Sequence, residues 1–459
     1  MVADSMGNIP GLMWVAPFAA LLLCIAILPL IPRTEGWWHH NKNKLIVALG
    51  LGAVTLAYYY FRGYGFGEGD HTAPAGWPTV GEVLHHGVLR EYVPFMSLLF
   101  SLYVISGGIG VRGDIPAHPL TNVAFLATGS VLASLIGTTG ASMLLIRPLL
   151  ATNSERHRVT HTVVFFIFLV SNVGGTLLPI GDPPLFIGYL RGVPFLWTLV
   201  LWKEWAFVTA ALLVIYYFWD RSAYRHEKRR DIQRDERMVK KLAIVGKINF
   251  LWLAGVLLAT ALLDPKKPMA GTNWTPYPFL REFVQLGLVM LSLLMTPRIV
   301  RKENNFNYTA IVEVAVLFIG IFLCMQVPIE ILNARGASLG LDSPAKFFWA
   351  TGTLSSFLDN APTYVVFFET ANAMTHAPGP GILQLLSGHY IRQDLLVGIS
   401  LGAVFMGAMT YIGNGPNFMV RSIAEHAGVK MPSFFGYMVY SGFILLPLFA
   451  VVTRIFLWG

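Results

Sequence analysis

The chain has 459 residues, 55% hydrophobic and 13% charged, and its mean hydropathy of +0.58 lies far from a soluble protein's balance of about 25% charged residues. That excludes a soluble domain and describes an all-α polytopic membrane protein, because a helix rising about 1.5 Å per residue needs roughly 20 apolar residues to cross a hydrocarbon core about 30 Å thick. The formal charge of +8 sits in short loops between apolar runs, where Lys and Arg set orientation, so the expected partner is the lipid bilayer and no nucleic acid.

In chain order, apolar runs long enough to span occur at 11 to 32, 44 to 62, 91 to 111, 160 to 190, 194 to 219, 247 to 264, 281 to 297, 308 to 333, 392 to 424 and 433 to 457, ten in all. The first has neither a basic segment before it nor a small-residue cleavage site, so it reads as a retained span and not a signal peptide. Cys24 and Cys324 fall in apolar runs and offer no disulfide framework or zinc spacing. Two more apolar regions, 118 to 150 and 342 to 374, are too long for one straight span. Each is broken at its centre, by "GTTGAS" (Gly137 to Ser142) and "DNAPT" (Asp359 to Thr363), and reads as a re-entrant helical hairpin.

The one long highly charged stretch, 220 to 241, reads as a solvated linker, and its excess of Lys and Arg places it in the cytoplasm. Walking outward from it, "PRIVRK" (297 to 302), Arg33, Lys42, Lys44, Arg156 and Arg158 fall inside, the acid-containing stretch 65 to 86 falls outside, and both termini lie outside. The expected location is the bacterial inner membrane.

The two sides of the linker match. "IGDPPLF" (Ile180 to Phe186) aligns with "IGNGPNF" (Ile412 to Phe418), and "LASLIGTTGASMLLI" (Leu132 to Ile146) with "LSSFLDNAPTYVVFF" (Leu354 to Phe368). Gly137 then stands opposite Asp359, Thr138 opposite Asn360, and Glu91 opposite Glu313. The expected organisation is a first repeat (1–219), a linker (220–246) and a second repeat (247–459). An odd number of spans per half makes the second repeat inverted, the design of secondary transporters that place substrate at the midplane on broken helices. Unwound backbone is tolerated at that depth only where it is buried in protein or lines a cavity.

Asp182 and Asp359 are the carboxylates inside the matched broken elements, and an ionised Asp at mid-bilayer costs about 2.5 to 3.5 kcal/mol. Asp182 before Pro183 also suits a helix cap, and Asp359 suits one less well because Pro362 lies three residues on. A carboxylate in a partly dehydrated cavity can be taken in turn by a proton and a small hard cation, so Asp182 and Asp359 are the expected sodium ligands. Asn172, Asn360, Asn414 and Asn417 supply neutral oxygens and amide donors. Thr138, Thr139 and Ser142 at a half-helix start suit an anion. The turn glycines Gly181 and Gly413, with Thr363, complete the set. Glu91, Glu313 and Arg147 are expected to snorkel or form salt bridges.

"SNVGGTLLPIGD" (171 to 182) resembles the S-N-x-G-G-x-x-x-P-I-G-D stretch of bacterial D-type sodium/proton antiporters. "SSFLDNAPT" (355 to 363) resembles the acidic hairpin of those antiporters and of arsenite permeases, and "GNGPN" (413 to 417) resembles the second-repeat turn of arsenite and citrate permeases. All belong to the ion transporter superfamily, so the resemblance implies a citrate transporter-like, cation-coupled homodimer. It also implies roles for Ser171, Asn172, Asp182, Asp359 and Asn360. The first expectation is sodium/proton antiport without any resident cofactor. The alternative is a cation-coupled citrate-like organic anion carrier, against which stands the absence of an arginine at either hairpin tip. An intramembrane aspartyl protease is the remote alternative from another class, since Pro179 stands where such enzymes have glycine; the expectation is a transporter and no enzyme.

Overall fold

The computed structural model describes residues 9–67, 73–237, 239–268, 273–304, 306–336, 340–375 and 377–458. Part of the acid-containing stretch, 68–72, thus lies outside the described residues. Helices follow the apolar runs, and prolines mark many of their starts, where the missing N–H would be unpaired in any case. In order they are α1 (Ala16–Ile27), α2 (Pro32–Trp38), α3 (Asn41–Phe61), α4 (Trp77–Leu84), α5 (Val93–Ser106), α6 (Pro119–Ile136), α7 (Thr138–Thr152), α8 (Thr160–Leu169), α9 (Pro183–Leu190), α10 (Trp202–Arg225), α11 (Arg229–Arg237), α12 (Ile248–Leu262), α13 (Leu280–Met295), α14 (Arg298–Glu303), α15 (Thr309–Cys324), α16 (Gln326–Arg335), α17 (Pro344–Phe357), α18 (Asn360–Ala373), α19 (Gln393–Met406), α20 (Gly415–His426) and α21 (Phe434–Val452). Two short antiparallel strand pairs complete the chain, β1 (Gly110–Asp114) with β2 (Lys240–Val245) and β3 (Ile382–Gln384) with β4 (Tyr390–Arg392).

Among the described residues five helical runs are long and apolar enough to cross a membrane: Asn41–Phe61, Trp77–Ser106, Pro119–Ile136, Phe195–Arg225 and Phe434–Leu457. They become seven if two bent pairs, Leu12–Ile27 with Pro32–Trp38 and Thr309–Cys324 with Gln326–Arg335, each count as one span. The ten spans expected from the sequence are therefore not all continuous. The regions 160 to 190 and 392 to 424 each divide into two helices around unwound backbone, and α12 and α13 are only 15 and 16 residues long. The third span starts earlier than its apolar run, because α4 continues through the π-helical stretch His85–Tyr92 into α5.

The two broken apolar regions fold back on themselves. In the first, Gly129 of α6 faces Leu145 of α7, and at the open end Asn122 donates to Asn153 at 3.0 Å. In the second, Phe347 of α17 meets Phe367 of α18 with ring centroids 6.3 Å apart. The first arm of the first hairpin, α6, is nevertheless long enough to span by itself, which the hairpin reading had not anticipated.

The halves exchange partners. Helix α3 packs along α15 and α13 along α5; α9 packs on α18 and α20 on α7. Aligned residues also make the same bond twice. The Ser134 hydroxyl donates to the Gly174 carbonyl at 2.5 Å, and its aligned counterpart Ser356 donates to Met406, opposite Gly174, at 3.2 Å.

Most described residues of segment 220–246 are exposed, as expected of a solvated linker, but the segment is folded. It holds α11 and β2, the latter paired with β1, and its acids tie it to the first half: Ala117 N–H donates to Asp235 at 2.8 Å, and His157 and Arg158 N–H groups donate to Glu227. Alternating basic and acidic residues read as a solvated face, yet the acids find backbone donors that no charge count reveals.

Candidate functional site

The first hairpin turns at Gly137 with φ +81° and ψ 149°, a conformation that favours glycine. Its aligned counterpart Asp359 turns the second hairpin with φ −55° and ψ 137°, open to any residue. Thr138 and Asn360 are consequently the first residues of α7 and α18. After α8 the backbone unwinds through a short 3-10 turn (Val173–Thr176) and resumes at Pro183, so that Asp182 precedes α9; after α19 it unwinds through Gly407–Met409, so that Asn414 precedes α20.

Pro183 and Pro184 offer no N–H to a capping carboxylate, and the Asp182 side chain makes no cap bond to α9. The carboxylate is 1% exposed and is held across the molecule. Oδ1 accepts from the Thr138 hydroxyl at 2.9 Å and the Asn414 amide at 3.0 Å, and Oδ2 accepts from the Asn360 amide at 2.6 Å. Thr138 N–H also donates to the Gly181 carbonyl at 2.8 Å. The starts of four helices thus meet on one carboxylate, and helix N-termini carry partial positive charge that favours an anion. The matched residues Asp182 and Asn414 touch each other, and the matched tip residues Thr138 and Asn360 each supply one donor.

Around this centre lies an asparagine chain. Asn414 also donates to the Ser171 carbonyl at 3.1 Å and to Asn172 Oδ1 at 3.2 Å; Asn172 donates to Asn417 Oδ1 at 2.7 Å and to the Ile167 carbonyl; Asn417 donates to the Gly407 and Thr410 carbonyls. Ser142 and Ser171 share a hydroxyl bond of 2.9 Å. The paired glycines of the break have a steric reason, since a Cβ on Gly175 would fall 2.7 Å from Thr138 Cγ2 and 3.0 Å from Asp182 Cβ. A Cβ on Gly413 would meet the Ser355 carbonyl at 2.8 Å.

Most of the residues expected at a site therefore converge, and the exceptions are informative. The weighting of the two aspartates reverses: Asp359 is the helix cap, accepting from Ala361 N–H at 3.1 Å, and it is only half-buried. Pro362 occupies the third helical position and leaves the Ala361 donor free, which spacing alone did not weigh. Thr363 bonds back to the Asp359 carbonyl, and Thr139 is half-buried outside the groups that bond Asp182. Glu91 and Glu313 form the salt bridges expected, with Arg191 at 2.8 Å and Lys44 at 2.5 Å. Arg147 does not; its buried Nη1 has no hydrogen-bond partner among the described residues. Sequence reasoning passed over Arg191 and Glu369, which pair with each other. Glu369 stands as a lone acid in the apolar arm "TYVVFFETANA", and that was the signal.

A profile of the family described as "Putative citrate transport" matches residues 7–457. The chain belongs to this family. The family and the apolar helices together describe an integral membrane transporter, and no catalytic family is indicated. The citrate transporter-like resemblance drawn from the turn motifs agrees with this membership. No curated protein matches the sequence.

Proposed function

We propose that the chain is a cation-coupled carrier of a small citrate-like carboxylate, with Asp182 as the coupling carboxylate. The observation that carries this reading is the bonding of one buried carboxylate by donors from both halves, at the meeting of four helix starts. A proton or sodium ion arriving at Asp182 would compete with these donors and neutralise the group. The four helix starts would then favour the negative charge of a substrate carboxylate in its place. Thr138, Asn360 and Asn414 are the donors positioned to pass from Asp182 to that substrate. Family membership favours this substrate class over the inorganic cation expected first.

The exchange of packing partners and the repeated serine bonds support two inverted repeats working by alternating access, with α9, α18, α7 and α20 as the elements that carry the site. The docked linker is assigned to the cytoplasmic side of a bacterial inner membrane by its basic excess, and a homodimer is the expected assembly. Sodium/proton antiport is the second reading. It is favoured by one observation: among the described residues, no Arg or Lys bonds to the central cluster, whereas polycarboxylate sites commonly use a guanidinium fork. The protease reading has little support, because Asp359 caps its own helix while Asp182 is fully engaged elsewhere.

Transport by proteoliposomes tests the proposal. Citrate and related acids should accumulate under an inward proton or sodium gradient, and dissipation of a pH gradient by sodium alone, with no carboxylate movement, would favour the second reading.

A further inference from the structure

A cavity of about 510 Å³ opens at the far ends of the two helices that carry the centre. Helix α9 runs from Asp182 to Leu190 at the cavity wall, and α18 runs from Asn360 to Phe368 and Glu369 there. At about 1.5 Å per residue the cavity lies on the order of 12 Å from the central carboxylate along α9. It also lies at the opposite end from the linker. The two helices flanking the β1–β2 pair, α5 before it and α12 after it, both have their other ends at this cavity, near Pro94 and Asp264.

The charges of its wall are unequally available. Glu91 and Glu369 are buried and both engaged by Arg191; Glu282 is buried and engaged by Arg281 at 2.6 Å; Asp264 is buried and accepts from the Lys266 backbone N–H. The acids are therefore spent on internal donors. Arg90 and Lys266, in contrast, are exposed and have no carboxylate within ion-pair distance among the described residues. Among the described residues Lys266 Nζ donates to the Leu190 carbonyl, at 2.6 Å, and to no side chain. The exposed charged side chains of the wall are positive, although its four Arg and Lys are matched in number by four acids, and they stand beside a guanidinium already engaged with carboxylates.

We propose that this cavity is an encounter site for a di- or tricarboxylate ion on the face opposite the linker. Arg90 and Lys266 hold one carboxylate, and a second competes with Glu91 and Glu369 for Arg191 at the floor. The inference rests on the carboxylate reading of the centre and supplies the cationic recognition that the centre lacks. It has a mechanical consequence. The Arg191 pairs tie the end of α9 to the π-helical stretch of the third span and to α18, so a substrate that takes Arg191 from them loosens the elements that hold the site.

The test uses full-length protein in oriented proteoliposomes, with citrate presented to either face. In Arg90→Gln/Lys266→Gln protein, the KM for citrate at the cavity face should rise at least tenfold, and Arg90→Lys/Lys266→Arg should restore it. The KM at the linker face is the internal comparison, and Lys228→Gln on the linker is the control for a general charge effect. A cavity-face KM equal to wild type, or an equal rise at both faces, would overturn the proposal. If wild-type protein moves no carboxylate at all, the functional reading fails on its own, and citrate calorimetry on Asp182→Asn protein decides the cavity separately. Binding that disappears on adding Arg90→Gln/Lys266→Gln supports the encounter site, and absence of binding ends it.

Discussion

Replacing Asn360 by leucine separates a donor to the central carboxylate from ordinary packing. Leucine has nearly the same shape, and Asn360 Oδ1 is a buried acceptor with no partner among the described residues, so its removal orphans nothing else. The loss falls on Asp182 Oδ2, whose described donor at 2.6 Å disappears. A hydrogen bond to a charged group contributes about 1.5 to 3 kcal/mol, which corresponds to roughly a 10- to 150-fold loss of kcat/KM. Thr138→Val is the matched comparison. It removes a 2.9 Å donor from Oδ1, but Asn414 remains on that oxygen at 3.0 Å, so its effect should be several-fold smaller. Initial rates in proteoliposomes, with a thermal melt to show that both variants fold, measure the two. Equal rates for the variants, or a larger loss for Thr138→Val, would refute the donor assignment.

Other substitutions probe the frame around the site. Gly175→Ala drives a Cβ into Thr138 and Asp182 and should cost about 1 to 3 kcal/mol, whereas Gly415→Ala, with nothing within 4 Å, should change stability by less than about 0.5 kcal/mol; chemical denaturation in detergent compares them. Arg156→Ala strands Asp220, a buried carboxylate 2.5 Å away, with His161 and the Asn122 amide as its remaining partners, and should cost about 3 to 5 kcal/mol. The exposed pair Arg112–Glu303 should be worth about 1 kcal/mol or less to the same assay on Arg112→Ala.

The matched turns of the two halves were legible because turn residues stand out against apolar helix, and the two short matches aligned Asp182 with Asn414 and Thr138 with Asn360. Their meeting in space follows from that alignment once the halves interlock, although nothing in the strings states that matched residues touch. Hydropathy overestimated the number of continuous spans because 160 to 190 reads as one apolar run, while the backbone from Asn172 to Asp182 leaves the α-helix. Which aspartate caps its helix was misread because capping depends on which N–H groups survive: Pro183 and Pro184 supply none at the start of α9, while Pro362 spares Ala361 at α18. Arg191 and Glu369 were missed because ion pairs between segments far apart in sequence have no local pattern.

The most direct measurement of the central claim is citrate accumulation in proteoliposomes under an imposed proton or sodium gradient, comparing wild type with Asp182→Asn. The account predicts gradient-driven accumulation in wild type and loss of coupling in the variant, since an asparagine amide cannot be neutralised by an arriving cation. Concentrative, gradient-dependent uptake retained by Asp182→Asn would contradict it, because the buried carboxylate at the meeting of four helix starts would then have no part in coupling.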